Sequence, residues 1–340
     1  MFHNRIPIFL AWLIIFIVGC DDKGTDPPQV IPGSRDYSWN LYEENEPIYF
    51  KQMIAFDSRD IWAVSTGDKT RFFWHWDGSN WHHVDCGINI FSAWSLWGKS
   101  SDVLYIGDGD GEIYKYDGKS AKKITKLSID GFDVVSILQM ADDKKGNVYL
   151  VGAALRDNFY TQHGVIYKFE DDEFKLVELT TEADLMFNRI VYDKYEGIFV
   201  LFANDLAGQL SAYSFDGQNL QKILDNGSVG LLNIDQGVHI VSKSIVYKAK
   251  KDGVVEELDL SMYFGPGFGV GRNFYDFFTN TYNGGDGSGA GLSHYNGHNL
   301  ELVYPIQGNF SRMFIFEEDL ICVGRYFSNT NTFTLHGQLN

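Results

Sequence analysis

The sequence predicts an all-β fold, a single seven-bladed β-propeller closed by pairing of its N- and C-terminal strands. Three observations carry this. A short aromatic–acid–glycine motif recurs at spacings of 36 to 53 residues. Each copy follows a β-branched and aromatic run introduced by polar turn residues. No amphipathic helical run of useful length occurs, while 16% aromatics and 35 glycines suit many short strands and tight turns.

The motif is clearest in FFWHWDGSNWHHV at 72–84. It returns in EIYKYDGKSAKKI (112–124), VIYKFEDDEFKLV (165–177), SAYSFDGQNLQKI (211–223) and LSHYNGHNLELV (292–303). Fainter copies are YKAKKDGVVEEL (247–258) and TFTLHGQLN (332–340). Aligning the acid or its substitute gives Asp77, Asp117, Glu170, Asp216, Asp252, Asn296 and His336, with gaps of 40, 53, 46, 36, 44 and 40 residues. Asp-Gly is a favoured tight-hairpin pair, because glycine tolerates positive φ and the aspartate side chain can cap its own turn. The column therefore reads as turn formers.

Upstream of these turns lie second strands: RDIWAVS (59–65), SDVLYIG (101–107), GNVYLVG (146–152), GIFVLFA (197–203), GVHIVSK (237–243) and DLICVGR (319–325). Before them come further apolar stretches, such as IFSAWSLWG (90–98), VVSILQMA (134–141) and FNRIVYD (187–193). Each unit is strand, turn, strand, hairpin, strand, Asp-Gly turn, strand. Such units cannot bury both faces alone, so stacking them radially is the expected solution. Seven units over 37–340 average about 43 residues each. The last copy ends at Asn340 without a full outer strand, and RDYSWNLYE (35–43) resembles SNWHHVD (79–85), with Trp39 in the place of Trp81. Residues 37–42 are therefore predicted to complete the last blade, and Trp81 to pack its outer strand onto a neighbour.

Residues 1–19 read as a signal peptide, with Arg5 ahead of an apolar run too short to span a membrane convincingly. Ile17-Val18-Gly19-Cys20 resembles the bacterial lipobox, which implies acylation of Cys20 as the mature N-terminus. Residues 20–36 are polar, carry three prolines and read as a flexible tether. The expected location is the cell envelope, lipid-anchored at the outer membrane on its periplasmic or surface face. Loss of Arg5 takes the formal charge from −17 to −18. That argues against nucleic acid, whose binding needs basic patches, and leaves membrane attachment to the lipid. An oxidising envelope permits a disulfide between Cys86 and Cys322, but two thiols in a long chain are expected to be unpaired and buried.

Candidate chemistry is sparse. His75 shares its column with Lys115, Lys168, Ser214 and His294, so it reads as an outward polar position. His82 and His83 are adjacent and point to opposite faces of a strand, which disfavours one shared metal. Asp108 and Asp110 in GDGDGE are the candidate divalent-metal pair, in a hairpin where Asp and Gly are also ordinary turn residues. An EF-hand would need an acid where Ile106 stands. The glycine-rich FGPGFGVG (264–271) and NGGDGSGAG (283–291) lack P-loop and dinucleotide-binding context, so no cofactor is expected. With the insertion AALRDNFYTQH (153–163), they are the expected ligand loops. No catalytic residue is assigned, since nucleophile-elbow, HExxH and CxxC patterns are absent from the sequence.

The lipobox, the D-(I/V)-(W/Y)-x-V-G strands and the aromatic-Asp-Gly turns together resemble a family of bacterial lipoprotein β-propellers, over nearly the whole mature chain. Members are often labelled glucosyltransferases, although no motif here carries that chemistry. The resemblance implies a propeller body and an envelope location. Two functional classes follow. One is a membrane-anchored binding scaffold recognising a protein or a glycan. The other is a carbohydrate-active hydrolase, lyase or transferase, which as a glycosidase would need two carboxylates facing each other at the channel mouth.

Overall fold

Alternating burial along short aromatic and β-branched runs produces antiparallel meanders. The computed structural model describes residues 33–157, 161–170, 173–181, 184–225, 230–260, 268–281 and 290–340. The leader and Cys20 lie outside the described residues. The first sheet comprises Phe50–Asp57, Asp60–Ser65, Phe73–Trp76 and Trp81–His83. The second comprises Ala93–Ser100, Val103–Asp108, Glu112–Tyr116 and Ala121–Lys126. The third runs from Val134–Asp142 through Val148–Arg156 and Thr161–Glu170 to Glu173–Leu179. The fourth contains Leu185–Asp193, Ile198–Asp205, Leu210–Phe215 and Leu220–Asp225. The last sheet contains Gly308–Ile315, Asp319–Tyr326, Thr332–Leu339 and, outermost, Tyr37–Glu43.

That outermost strand pairs antiparallel with Thr332–Leu339 from Tyr37↔Leu339 to Glu43↔Phe333. The two ends of the described body thus share one sheet, as the likeness of 35–43 to 79–85 predicts. Trp39 lies over Gly337, where a Cβ would stand 2.5 Å from its ring, and packs against Tyr304 in the preceding sheet at 5.6 Å. Trp81 is buried, stacks near Phe50 at 4.5 Å, and donates its indole N–H to Thr334 Oγ1 of the last sheet at 2.9 Å.

The expectation of seven separate four-stranded blades is overturned. Five blades stand as separate four-stranded sheets, and residues between 230 and 305 form one continuous sheet of eight strands. Its strands are Gly230–Ile234, Gly237–Ser242, Ile245–Lys250, Gly253–Asp259, Gly269–Asn273, Asp276–Thr281, Gly291–Tyr295 and Leu300–Pro305. Gly230–Ile234 and Gly269–Asn273 pair in parallel, with Leu232↔Gly269 and Ile234↔Gly271 in register. Glycine is the reason. A Cβ on Gly269 would meet Leu232 Cδ1 at 2.9 Å and Phe278 O at 2.4 Å, so its absence lets the two inner strands approach closely enough to bond. Asp276–Thr281, a second strand not singled out by the sequence pattern, sits within this sheet.

Most hydrophobic clusters lie between successive sheets, and one, with Leu232, Val246, Phe277 and Tyr295, lies between the two halves of the eight-stranded sheet. Trp62, Phe73 and Leu104 join the first sheet to the second. Ile113, Val135 and Leu150 join the second to the third, and Tyr149, Phe187 and Leu201 the third to the fourth. Cys86 and Cys322 occupy different clusters and are free, so no disulfide forms. Burial pushes both thiols up. His336 lies inside Thr332–Leu339, opposite Ile321, and therefore belongs to the His75 column instead of the turn column.

Replacing Gly269 by valine forces these contacts apart. We expect a loss of about 2–4 kcal/mol in urea denaturation, with faster amide hydrogen exchange concentrated between residues 230 and 273.

Candidate functional site

The turn column sits on the lower rim, where each meander passes from third to fourth strand. Asp77 Oδ1 accepts from the Ser79 and Asn80 amides at 2.8 and 2.9 Å. Asp117 does the same with Lys119 and Ser120 at 3.1 and 2.9 Å, and Asp216 with Gln218 and Asn219 at 3.0 and 2.7 Å. Asn296 Oδ1 accepts from His298 and Asn299, both at 3.1 Å. The following Gly78, Gly118, Gly217 and Gly297 all have positive φ. Glu170 pairs with Lys168 at 2.9 Å and Lys175 at 3.5 Å, and the turn after it lies outside the described residues. Asp77 also takes a hydrogen bond from His82 at 2.7 Å, the main reason its carboxyl is held far below the usual range. Lys251 has the same effect on Asp216.

His75 is not a free outward side chain. It is bonded to Asp60 at 2.9 Å and stacked on Trp62 at 4.5 Å, while the Trp62 indole donates to the same carboxylate oxygen at 2.7 Å. Asp60 also accepts from Ser101 of the second sheet. The tie recurs as Asp276–His294 at 2.7 Å and Asp319–His336 at 2.6 Å. In each, the acid opens the second strand and the histidine lies diagonally across on the third. With His82 held by Asp77 and the His83 ring against Trp74 at 5.7 Å, the three histidines face three different partners. No group of three metal-ligating side chains gathers among the described residues.

Asp108 is buried and accepts the Asp110 and Glu112 amides at 2.9 and 2.7 Å, so the pair forms a turn on the upper rim. Burial raises its pKa to about 6, and its backbone hydrogen bonds oppose that rise. The turn abuts a second feature. Gly109 N donates to Ser92 O at 3.0 Å, Ser92 bridges Thr66, and Thr66 N donates to Tyr49 O at 3.2 Å. These links join Tyr49, 44% exposed, to Phe91, 66% exposed. Arg325 stacks on Tyr49 at 4.6 Å and Lys51 on Trp94 at 4.2 Å, with Phe327, 49% exposed, beyond Arg325. The sequence pattern did not find this patch, because its aromatics come from connections in different repeats. The signal available was exposed aromatics in otherwise polar loops.

At the lower end, the innermost strands enclose a cavity of about 760 Å³. Met140, Ile190, Ile234, Val270 and Met313 give it an apolar wall. Two of its three acids are held by lysines, Asp142 by Lys144 at 3.0 Å and Asp235 by Lys194 at 2.5 Å; the third is Glu317. Asp142 also accepts the Trp97 indole at 3.0 Å. The described parts of the expected ligand loops are at the other end. Of the loops, 158–160, 264–267 and 283–289 lie outside the described residues. Among the described residues no helix is long and apolar enough to cross a membrane.

No family model and no curated protein matches the chain. Solved structures do. YCF48 bound to D1 peptide is similar with a TM-score of 0.60 and 13% identity, over 91% of this chain and 100% of that one. YCF48 from Cyanidioschyzon merolae gives 0.54 and 11%, over 87% and 98%. The computationally designed Ika8 protein gives 0.50 and 9%, over 83% and 82%. At these identities the likeness is one of fold, and the chain is an all-β propeller.

Asp108 makes a pH prediction. Its folded pKa of about 6 exceeds the ordinary 3.8, so between those values the folded chain keeps a proton the unfolded chain has lost. Its contribution to stability therefore falls as pH rises through that window. Asp108→Asn, which keeps the acceptor oxygen, should gain on the order of 1 kcal/mol at neutral pH after allowance for partial solvation. Denaturant titrations should show the gain vanishing once both states are protonated.

Proposed function

We propose that the chain is a binding and scaffold module of the cell envelope, anchored by lipid on Cys20, that takes a protein partner on its upper rim. The observation that carries the partner site is the patch of Tyr49 and Phe91, joined through Thr66 and Ser92, with Lys51 and Arg325 over neighbouring rings and Phe327 exposed on the same rim. Exposed aromatics beside arginine are the composition of interface hot spots. In a chain of formal charge −17, cations gathered at one rim favour a partner segment that brings acidic side chains. A propeller of similar fold has been solved with a peptide bound. The anchor rests on the lipobox-like Ile17–Cys20, and the proposed outer-membrane location rests on that anchor.

A glycan is the second reading, favoured by the exposed Tyr49 and Phe91 rings, on whose faces a sugar could stack. A carbohydrate-active enzyme is less well supported, since two of the three acids lining the lower mouth, Asp142 and Asp235, are lysine-paired and leave Glu317 without a second free carboxylate in that lining.

Crosslinking and co-purification from native membranes, beside a glycan-binding screen, test these readings. Capture of a protein should fall about tenfold or more in Tyr49→Ala/Phe91→Ala, and undiminished capture would remove the patch as the site. Glycan binding lost in the same variant would transfer the assignment to sugar. Mass spectrometry of the mature chain should find an acylated Cys20, with release from membranes by detergent alone; an unmodified Cys20 rules out the anchor.

A further inference from the structure

Two arginines on innermost strands have no carboxylate partner among the described residues. Arg189 and Arg312 lie on the innermost strands Leu185–Asp193 and Gly308–Ile315, each directly after a register shift, Phe187/Arg189 in one and Phe310/Arg312 in the other. The same position after a shift holds Gln52 in the first sheet and Gln139 in the third. These glutamines stitch neighbouring sheets together: Gln139 Oε1 accepts the Ile190 amide at 2.9 Å, and Gln52 Oε1 accepts from Arg312 Nη2. Arg189 has no such bond among the described residues.

The two arginine strands belong to sheets separated by the eight-stranded sheet. Their side chains can therefore approach one another only across the lumen. Burial and then repulsion from Arg189 hold the Arg312 guanidinium below its usual pKa, and burial does the same to Arg189. The chain has 45 acidic residues, yet among the described residues neither arginine forms an ion pair. Two half-buried like charges without a counter-ion are costly. The lower cavity reaches this level, because Gln139, Ile190 and Met313 line it, the latter two directly following the arginines in sequence.

We propose that the lumen binds a small carboxylate between Arg189 and Arg312, fed from the lower mouth. Each guanidinium presents a planar fork that matches a carboxylate, and one anion neutralises the repulsion between the two. The carboxylate is either a free small acid or the C-terminus of an extended peptide entering the cavity. The site is separate from the upper patch, and its test is independent of capture through Tyr49 and Phe91.

The full-length protein in detergent is titrated calorimetrically with acetate, with a short peptide bearing a free C-terminus, and with the same peptide amidated. Saturable binding is expected, weakened about tenfold or more in Arg189→Gln and in Arg312→Gln. Acetate binding as tightly as the peptide identifies a free acid; a free-ended peptide binding more tightly than both acetate and its amide identifies a chain terminus. Thermal denaturation in carboxylate-free buffer should find Arg189→Gln no less stable than the parent, because an uncompensated charge is gone. Saturable broadening of the carboxyl signal of 13C-acetate on the unmodified protein gives the same answer without substitution. The proposal is overturned if no probe binds saturably, or if either glutamine variant binds as tightly as the parent.

Discussion

The structure depends on the pairing of Tyr37–Glu43 with Thr332–Leu339. Because clusters fill the space on both sides of the last sheet, against the eight-stranded sheet and against the first, an open seam would expose two apolar faces together. Pairing the two ends prevents this. It is reinforced next door, where Ile48 N donates to Thr332 Oγ1 at 2.9 Å and Trp81 reaches Thr334. Closing a loop of this length costs little more than closing one half as long, since the entropic penalty grows only logarithmically. One aromatic-lined strand is therefore enough to fix the seam, and edge-to-edge pairing with another chain is blocked at the same time.

Closure also determines where chemistry can reside. Interior faces are occupied by packing, so polar function is confined to the rims and the lumen. On the lower rim, aspartates bond to their own turns and lysines neutralise Asp142 and Asp235. On the upper rim, cations lie over Tyr49 and Trp94, where they remain available to a partner on their other side. In the lumen, register shifts in the innermost strands set the facing of Gln52, Gln139, Arg189 and Arg312. The eight-stranded sheet contributes Arg272 to the lower mouth, where it is paired with Asp276 at 3.4 Å.

What could be read from the sequence was local chemistry. Asp77, Asp117, Asp216 and Asn296 were recognisable because an acid or amide capping its own hairpin needs residues only a few positions apart. The second strands were recognisable from composition, and the N-terminal strand from its likeness to 79–85. Cross-strand chemistry was not. His336 resembles a turn residue in alignment but serves Asp319, and His75 looked solvent-facing until Asp60 and Trp62 were placed beside it. The merged sheet depends on two glycines meeting Leu232 and Ile234 from 35 residues or more away in the chain. The patch and the lumen arginines assemble from different repeats, so no single window contains them.

The charge distribution constrains how a partner can arrive. A chain of formal charge −17 repels acidic chains at long range, yet its upper-rim cations and lumen arginines attract acid at short range. An acidic partner would then gain only where it reaches the patch or the lumen directly, and a broad acidic face would be rejected. Added salt screens the long-range repulsion over roughly a Debye length of 8–10 Å, while partly buried contacts are screened less. Binding to such a surface should therefore resist salt better than binding steered by net charge. That selects short segments over large surfaces, which matches a ring whose accessible chemistry is concentrated at a rim patch and a narrow mouth.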